Sequence, residues 1–400
     1  MALATSNKLC VSLETLSEEL QNSIKSIIDK SKYKKYELEI KCFDTRGNNF
    51  FGDLYEIDIT GETAKGKNIT NIFVKQKIHL ENFKLFSIKN MYPKEVFIYK
   101  DLSKTFTYLQ NEANVPQEDR YKIAKAYEET DHNAIILENL SKKGFRTYEK
   151  TEVISIKYAQ LAVQEIAKFH ALNFVVEHKM PDYFNNKIKV LKYDIAFDDE
   201  WAGLMRNVCA YVASLYDNDV KKRIEKFYST LIEKLPKYCN DQTTVRCTLI
   251  HGDYKKNNLM ARMQDSEVVE IIPIDYQLVL YGCPIMDFLY FIFSSTDREF
   301  RKQHLNELKE LYFETLSRFL KYFEMDVETV YPRKDFEKVY TEWLDFGLMA
   351  TLVASFFMFT PDTKVDLSNV ALSDVPFCPD KKFDYLIQGL IDDFVEWGYI

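Results

Sequence analysis

From about residue 36 the chain alternates apolar and polar positions. The stretches "YELEIKCF", "LYEIDIT" and "ITNIFVKQKI" each put apolar side chains on one face and polar ones on the other. Half-buried strands have this period. Gly47, Gly52, Gly61 and Gly66 punctuate the turns between them, so the segment predicts an antiparallel meander. Ahead of it, residues 10–30 carry helical spacing, with Thr15 or Ser17 as N-cap and acids in the first turn. Behind it, Leu85 to Ala113 predicts a helix, and "YKIAKAYEE" and "AIILENL" predict two more strands. After Leu140 the spacing is helical to the end. The exception is residues 245–278, where "VRCTLI", "NLMARM" and "EVVEIIPI" predict short strands.

The pattern gives an α+β protein of two lobes. Residues 1–138 form a small antiparallel β-rich N-lobe, and residues 139–400 a large, mainly helical C-lobe. The lobes join near Glu138 to Lys143. A length of 400 residues suits two lobes better than one core. The most apolar segment, "FGLMATLVASFFMF" from Phe346 to Phe359, is too short to span a bilayer and predicts a buried helix, so no membrane insertion is expected.

Composition narrows the classes. The formal net charge of −8 argues against a nucleic-acid partner, which favours a basic face. The seven cysteines are scattered, odd in number and without a C-x-x-C pair, which fits free thiols in a reducing compartment. The first twenty residues hold no apolar run of signal-peptide length. The expected location is the cytoplasm.

Candidate chemistry concentrates in "LIHGDYKKNNLM", Leu249 to Met260. Asp253 and Asn258 stand five apart, and Asp275 ends the apolar strand of "IIPIDYQ" about twenty residues on. Phosphoryl transfer from ATP asks a protein for three things. A carboxylate must orient and deprotonate the accepting hydroxyl, oxygen ligands must hold magnesium, and a cation must balance the phosphates. Asp253 suits the first task; Asn258 and Asp275 suit the second. Magnesium prefers hard oxygens and keeps waters, so one amide and one carboxylate suffice. The bland alternative is a loop with a chance H-G-D, since Asp and Asn are common turn residues. The composite H-x-D-x-x-x-x-N plus strand-Asp pattern favours the kinase reading.

These motifs resemble those of aminoglycoside- and choline-kinase-like small-molecule kinases, which share the protein-kinase fold. The nearer resemblance is to the insect ecdysteroid-kinase-like proteins. It runs through "IFVK", "PKEVFIYKDL", "IILENL", "LAVQEIAKFHALNF" and "YGCPIMDFLYF", from about residue 36 to residue 300. The resemblance implies ATP and Mg2+ as cofactors. It implies that Lys75 reaches the α- and β-phosphates, that Glu95 pairs with it, and that Glu138 and Leu140 meet adenine through their backbones. The bland reading of Lys75 and Glu95 is a pair of surface charges. Two departures stand out. The turn "DTRGNNFFGDLYEI" lacks G-x-G-x-x-G, which leaves backbone N–H groups from Gly47 and Asn48 onward to cover phosphate. Where the family usually has tryptophan this chain has "YKK", so Lys255 is either a stabiliser of the transferred phosphoryl group or a solvated lysine.

Other residues take bland roles. His170 is expected to be a hydrogen-bonded core histidine, His251 to brace the catalytic loop, and Asp287 to tether it. The acceptor is expected to be a hydroxyl of a lipophilic small molecule, an ecdysteroid or a related steroid or xenobiotic. The density of Phe and Tyr in the C-terminal half and the resemblance both point that way. The alternatives are a choline- or aminoglycoside-type kinase and a catalytically silent binding protein. A protein kinase is disfavoured by "HGD" and "IDYQ".

Overall fold

The computed structural model describes residues 8–43, 52–77, 88–148, 152–359, 372–374 and 377–400. The predicted meander is a five-stranded antiparallel sheet in the order β1-β2-β3-β4-β5: β1 Lys8–Val11, β2 Lys35–Phe43, β3 Gly52–Thr63, β4 Gly66–Lys77 and β5 Ala134–Glu138. Its register sets Lys75 between Leu54 of β3 and Ile135 of β5. Helix α1, Glu18–Lys30, starts where Ser17 Oγ accepts from Leu20 N–H at 3.3 Å. The helix turns Leu20, Ile24, Ile27 and Ile28 onto the sheet, against Ile40, Ile57, Ile72 and Val74. That spacing of four, three and one is a helical stripe.

Two helices cross from the sheet toward the rest of the chain: α2, Ile88–Phe97, and α3, Ser103–Glu112, joined by a π-turn over Ile98–Leu102. The helical body follows. Its elements are α4 Ile156–Lys179, the short α5 Pro181–Tyr183, α6 Asp199–Ser214, α7 Asn218–Asn240, α8 Ile285–Ser295, α9 Arg298–Lys321, the short α10 Val327–Val330, α11 Arg333–Glu342, α12 Leu344–Phe359 and α13 Lys381–Glu396. Helix α4 packs along α9, and α12 against α8. Between α3 and α8 lie five short strands: β6 Phe145–Thr147, β7 Thr248–Ile250, β8 Leu259–Gln264, β9 Glu267–Pro273 and β10 Leu280–Gly282. They form a three-stranded sheet, β6-β8-β9, and a two-stranded one, β10-β7.

Several details differ from the sequence reading. "YKIAKAYEE" is not a strand. It runs beside β5 with a single bridge, Ala126 to Leu137, and Tyr127 N–H donates to Ile136 O at 2.8 Å. The helix expected from Leu85 to Ala113 runs on from Ile88 to Glu112, with a π-turn over Ile98–Leu102 inside it and Pro93 in its first part; residues 85–87 lie outside the described residues. The N-cap is Ser17, not Thr15. Helix α12 is buried, as expected of Phe346 to Phe359. Among the described residues no single helix is long and apolar enough to cross a membrane.

Candidate active site

Two short strands deliver the polar motif to one place. β7 runs into His251–Asp253, and β8 pairs with β9 so that Leu259 lies opposite Pro273. Asn258 and Asp275 therefore flank adjacent strand ends, and Ile274 N–H donates to Asn258 O at 2.9 Å. Backbone geometry at the loop is demanding. Gly252 has φ +77°, and a Cβ there would lie 2.2 Å from Leu278 O. Only glycine fits both conditions.

Asp287 ties the loop down from α8. Its carboxylate accepts from His251 N–H at 2.6 Å and Gly252 N–H at 2.9 Å. His170 Nε2 reaches the same carboxylate at 3.1 Å, and His170 Nδ1 meets Tyr312 Oη at 2.7 Å. His251 braces the loop from within. Its Nε2 lies 3.1 Å from Ile274 O, and its Nδ1 3.4 Å from Asp253 N. Burial pushes the His251 pKa down, against the pull of Asp287 and Asp253, so the ring is neutral. A neutral ring then donates from Nε2 and accepts at Nδ1.

Asp253 is held by three side chains. Lys255 Nζ lies 2.6 and 2.7 Å from its two oxygens, Asn258 Nδ2 donates at 2.7 Å, and Tyr290 O–H donates at 3.0 Å. Lys255 is thus an ion-pair partner of Asp253 rather than a solvated lysine. Tyr290, from α8, escaped the sequence reading.

Lys75 is the hub of a second cluster. It is only 4% exposed, and its three N–H donors go to Glu95 Oε2 at 2.7 Å, Asp275 Oδ1 at 2.7 Å and Gln277 Oε1 at 2.9 Å. Burial would lower its pKa, but Asp275 and Glu95 override that and hold it above the ordinary lysine value. Burial also acts on the acids. Burial and the charge of Asp275 raise the Glu95 pKa against the pull of Lys75. Burial pushes the Asp275 pKa up as well, but the opposing pull, chiefly of Lys75, holds it below the usual carboxylate range. Two carboxylates compete for one ammonium, and the cluster carries a net charge of about −1, so a further cation would be welcome there. Asp275 adopts a left-handed backbone, φ 67° and ψ 58°, which swings the following turn so that Gln277 returns to Lys75.

A cleft of about 510 Å³, open to solvent, adjoins this cluster. Phe73, Ile135, Leu137, Leu140, Met260 and Ile274 give it apolar walls, and Lys75 and Asp275 border it. Glu138 and Leu140 sit at its edge. The Glu138 backbone turns away from β4, its N–H donating to Lys125 O at 2.9 Å, and its side chain pairs with Lys143. Gly47 and Asn48 lie outside the described residues.

A family model for the ecdysteroid kinase-like family matches residues 46–325. The chain belongs to that family. No curated protein matches its sequence. Among solved structures, this ecdysteroid kinase-like chain is similar to Plasmodium vivax ethanolamine kinase at 12% identity, covering 92% of this chain and 96% of that one, with a TM-score of 0.38. It is also similar to aminoglycoside phosphotransferase APH(2")-IIIa, solved as a GDP and kanamycin complex, at 13% identity and TM-score 0.39, covering 85% of this chain and 99% of that one. A third is aminoglycoside phosphotransferase APH(3'')-Id from Streptomyces rimosus, at 10% identity and TM-score 0.32, covering 84% and 98%.

Within this ecdysteroid kinase-like chain, sequence reasoning also passed over Gln277 and Lys94. Gln277 follows Asp275 by two residues in "IDYQ", a position that signals contact with the same cluster. Lys94 stands next to Glu95 in a helical segment and reads there as one more exposed lysine.

Proposed function

We propose that the chain is an ATP- and magnesium-dependent kinase that phosphorylates a hydroxyl of a small lipophilic acceptor, an ecdysteroid being the first candidate. One observation carries this reading. The buried Lys75–Glu95–Asp275 cluster and the Asp253–Asn258 pair meet at adjoining strand ends, beside an open cleft with apolar walls. In this reading residues 1–138 are the nucleotide-binding lobe, and residues 139–400 the catalytic and acceptor-binding lobe. Cytoplasmic residence belongs to the same proposal, supported by the scattered, odd-numbered cysteines.

The donors suit magnesium: Asn258 offers an amide oxygen and Asp275 an ionised carboxylate, and both are hard. When bound, the ion neutralises charge that develops on the phosphates. The apolar walls hold adenine, with the backbones of Glu138 and Leu140 at its edge. Lys75 directs its three donors to Glu95, Asp275 and Gln277. Asp275 would hold the ion together with Asn258, and Lys75, kept aimed by Glu95 and Gln277, would face the phosphates. Asp253 accepts the proton of the acceptor hydroxyl. Lys255, at its side, is placed to meet the transferred phosphoryl group.

Chemistry around the base supports a neutral acceptor. Tyr290 contacts Asp253, and burial, then Cys239, then the charge of Asp253 raise the pKa of Tyr193. Tyr193 stacks on Phe197 at 5.7 Å, nearly parallel. The nearby Asp194 carboxylate is committed to Lys94 and Asn90. Rings suit an apolar skeleton, worth roughly 25 cal/mol per Å² buried.

Competitive turnover tests this. With ecdysone and choline offered at equal concentration with Mg·ATP, mass spectrometry should find phosphorylated ecdysteroid. Phosphocholine as the sole product would overturn the acceptor class, because stacked rings can also hold a quaternary ammonium.

A further inference from the structure

Lys94 and Glu95 are neighbours on α2, and they face different partners. Glu95 pairs with Lys75 of the sheet. Lys94 is also buried, 6% exposed, and pairs with Asp194, whose side chain is buried as well. Its Nζ further donates to Lys192 O at 2.6 Å, and Asn90, one turn earlier, donates to Asp194 Oδ1 at 3.1 Å. Three bonds thus fasten α2 to a stretch of extended chain between α5 and α6.

That stretch is in turn bound to the catalytic strands. Leu191 O accepts from Tyr281 N–H of β10 at 3.1 Å. Lys192 Nζ reaches Gln242 Oε1 at 3.0 Å, and Gln242 Nε2 donates to Tyr281 O at 2.9 Å. β10 pairs with β7, with Tyr281 opposite Leu249, and β7 leads into His251–Asp253. A continuous set of hydrogen bonds joins the Glu95 helix to the strand that carries Asp253.

The backbone hydrogen-bond ladder of the α2 segment is irregular on both sides of Glu95. Pro93 removes an N–H from its interior, and the π-turn begins directly after Phe97. A helix with such irregularities relies more on outside contacts for its exact course.

We propose that the buried Lys94–Asp194 pair is a positioning device that holds α2, and with it the Lys75–Glu95 pair, in register with the strand pair leading to Asp253. The proposal rests on the kinase reading for its consequence, since it makes nucleotide affinity depend on a residue that borders no part of the nucleotide cleft. A burial or folding role alone would not link the two segments.

The test uses the full chain with Lys94→Met, the isosteric Asp194→Asn, and Lys94→Arg. Hydrogen exchange is followed by mass spectrometry, and Mg·ADP binding by calorimetry. In the nucleotide-free Lys94→Met variant, exchange should speed up in residues 88–97 and 191–197 together, while α1 and α9 keep their protection. Mg·ADP affinity should fall about tenfold, within the usual range of coupling between sites. Lys94→Arg should restore part of it. Exchange that rises in only one of the two segments, or wild-type Mg·ADP affinity in both neutral variants, would overturn the proposal. If the wild-type chain itself fails to bind Mg·ADP, the kinase reading falls. The paired exchange result alone then decides the role of Lys94 and Asp194.

Discussion

Asp253→Asn is expected to stop phosphoryl transfer while Mg·ATP still binds and the fold persists. The substitution changes one oxygen for an amide nitrogen of nearly the same shape. Tyr290 donates to Oδ1 and Asn258 to Oδ2, so one of the two keeps its acceptor and the other faces the new amide nitrogen. The lost property is the ability to take a proton from the acceptor. Removing a general base costs about two to four powers of ten in rate. Lys255 compounds the loss, because its ammonium now faces an amide rather than a carboxylate. Single-turnover kinetics read the rate, and calorimetry reads Mg·ATP binding. Turnover within a few-fold of wild type would remove Asp253 from the mechanism.

Asp275→Ala is expected to act on binding instead. Mg·ATP affinity should drop by roughly two powers of ten, the scale on which a metal ligand stabilises phosphate charge. Lys75 also loses one of its two carboxylates. With the competitor gone, Glu95 has the ammonium to itself, and its raised pKa should fall. The sign of the pH effect follows from the direction of the Asp275 shift. A carboxyl held below its unfolded value contributes stability that is complete above that value and is lost as pH falls through the folded one. The variant should therefore lose less stability than wild type on acidification below the ordinary carboxylate range. Acid titration of both proteins by circular dichroism checks this. Wild-type Mg·ATP affinity in the variant would mean that the metal ligand lies elsewhere.

Much of the architecture is legible in the chain because its signals are local. The alternation in "YELEIKCF", "LYEIDIT" and "ITNIFVKQKI" gives β2, β3 and β4 directly, and the spacing of Leu20, Ile24, Ile27 and Ile28 gives α1. Strands of three or four residues, such as β1, β6 and β10, are too short to show a period. "YKIAKAYEE" alternates like a strand but takes few ladder bonds, so its pattern reflects one-sided burial against β5 rather than pairing. At the site, Asp253, Asn258 and Asp275 stand out because their motif is compact. Tyr290, Gln277, Lys94 and Asp194 do not. Each is an ordinary helix, turn or loop residue until the fold brings its partner from a distant part of the chain.

The hydrophobic core does not divide where the sheet ends. Met91, Tyr92, Ile98, Leu102 and Phe106 of the α2–α3 region pack into the same continuous core as the helical body. One face of the sheet shares a smaller core with α1, while Ile135 and Leu137 of β5 belong to the larger one. Cooperative units follow shared burial rather than chain order. Under mild urea the α1–sheet unit should open sub-globally before the rest, and native-state exchange should give its amides a lower opening free energy than those of α3. Lys75 then departs with the sheet while Glu95 stays on the helical body. In that event the ion pair at the centre of the site would also be the seam along which the two units part.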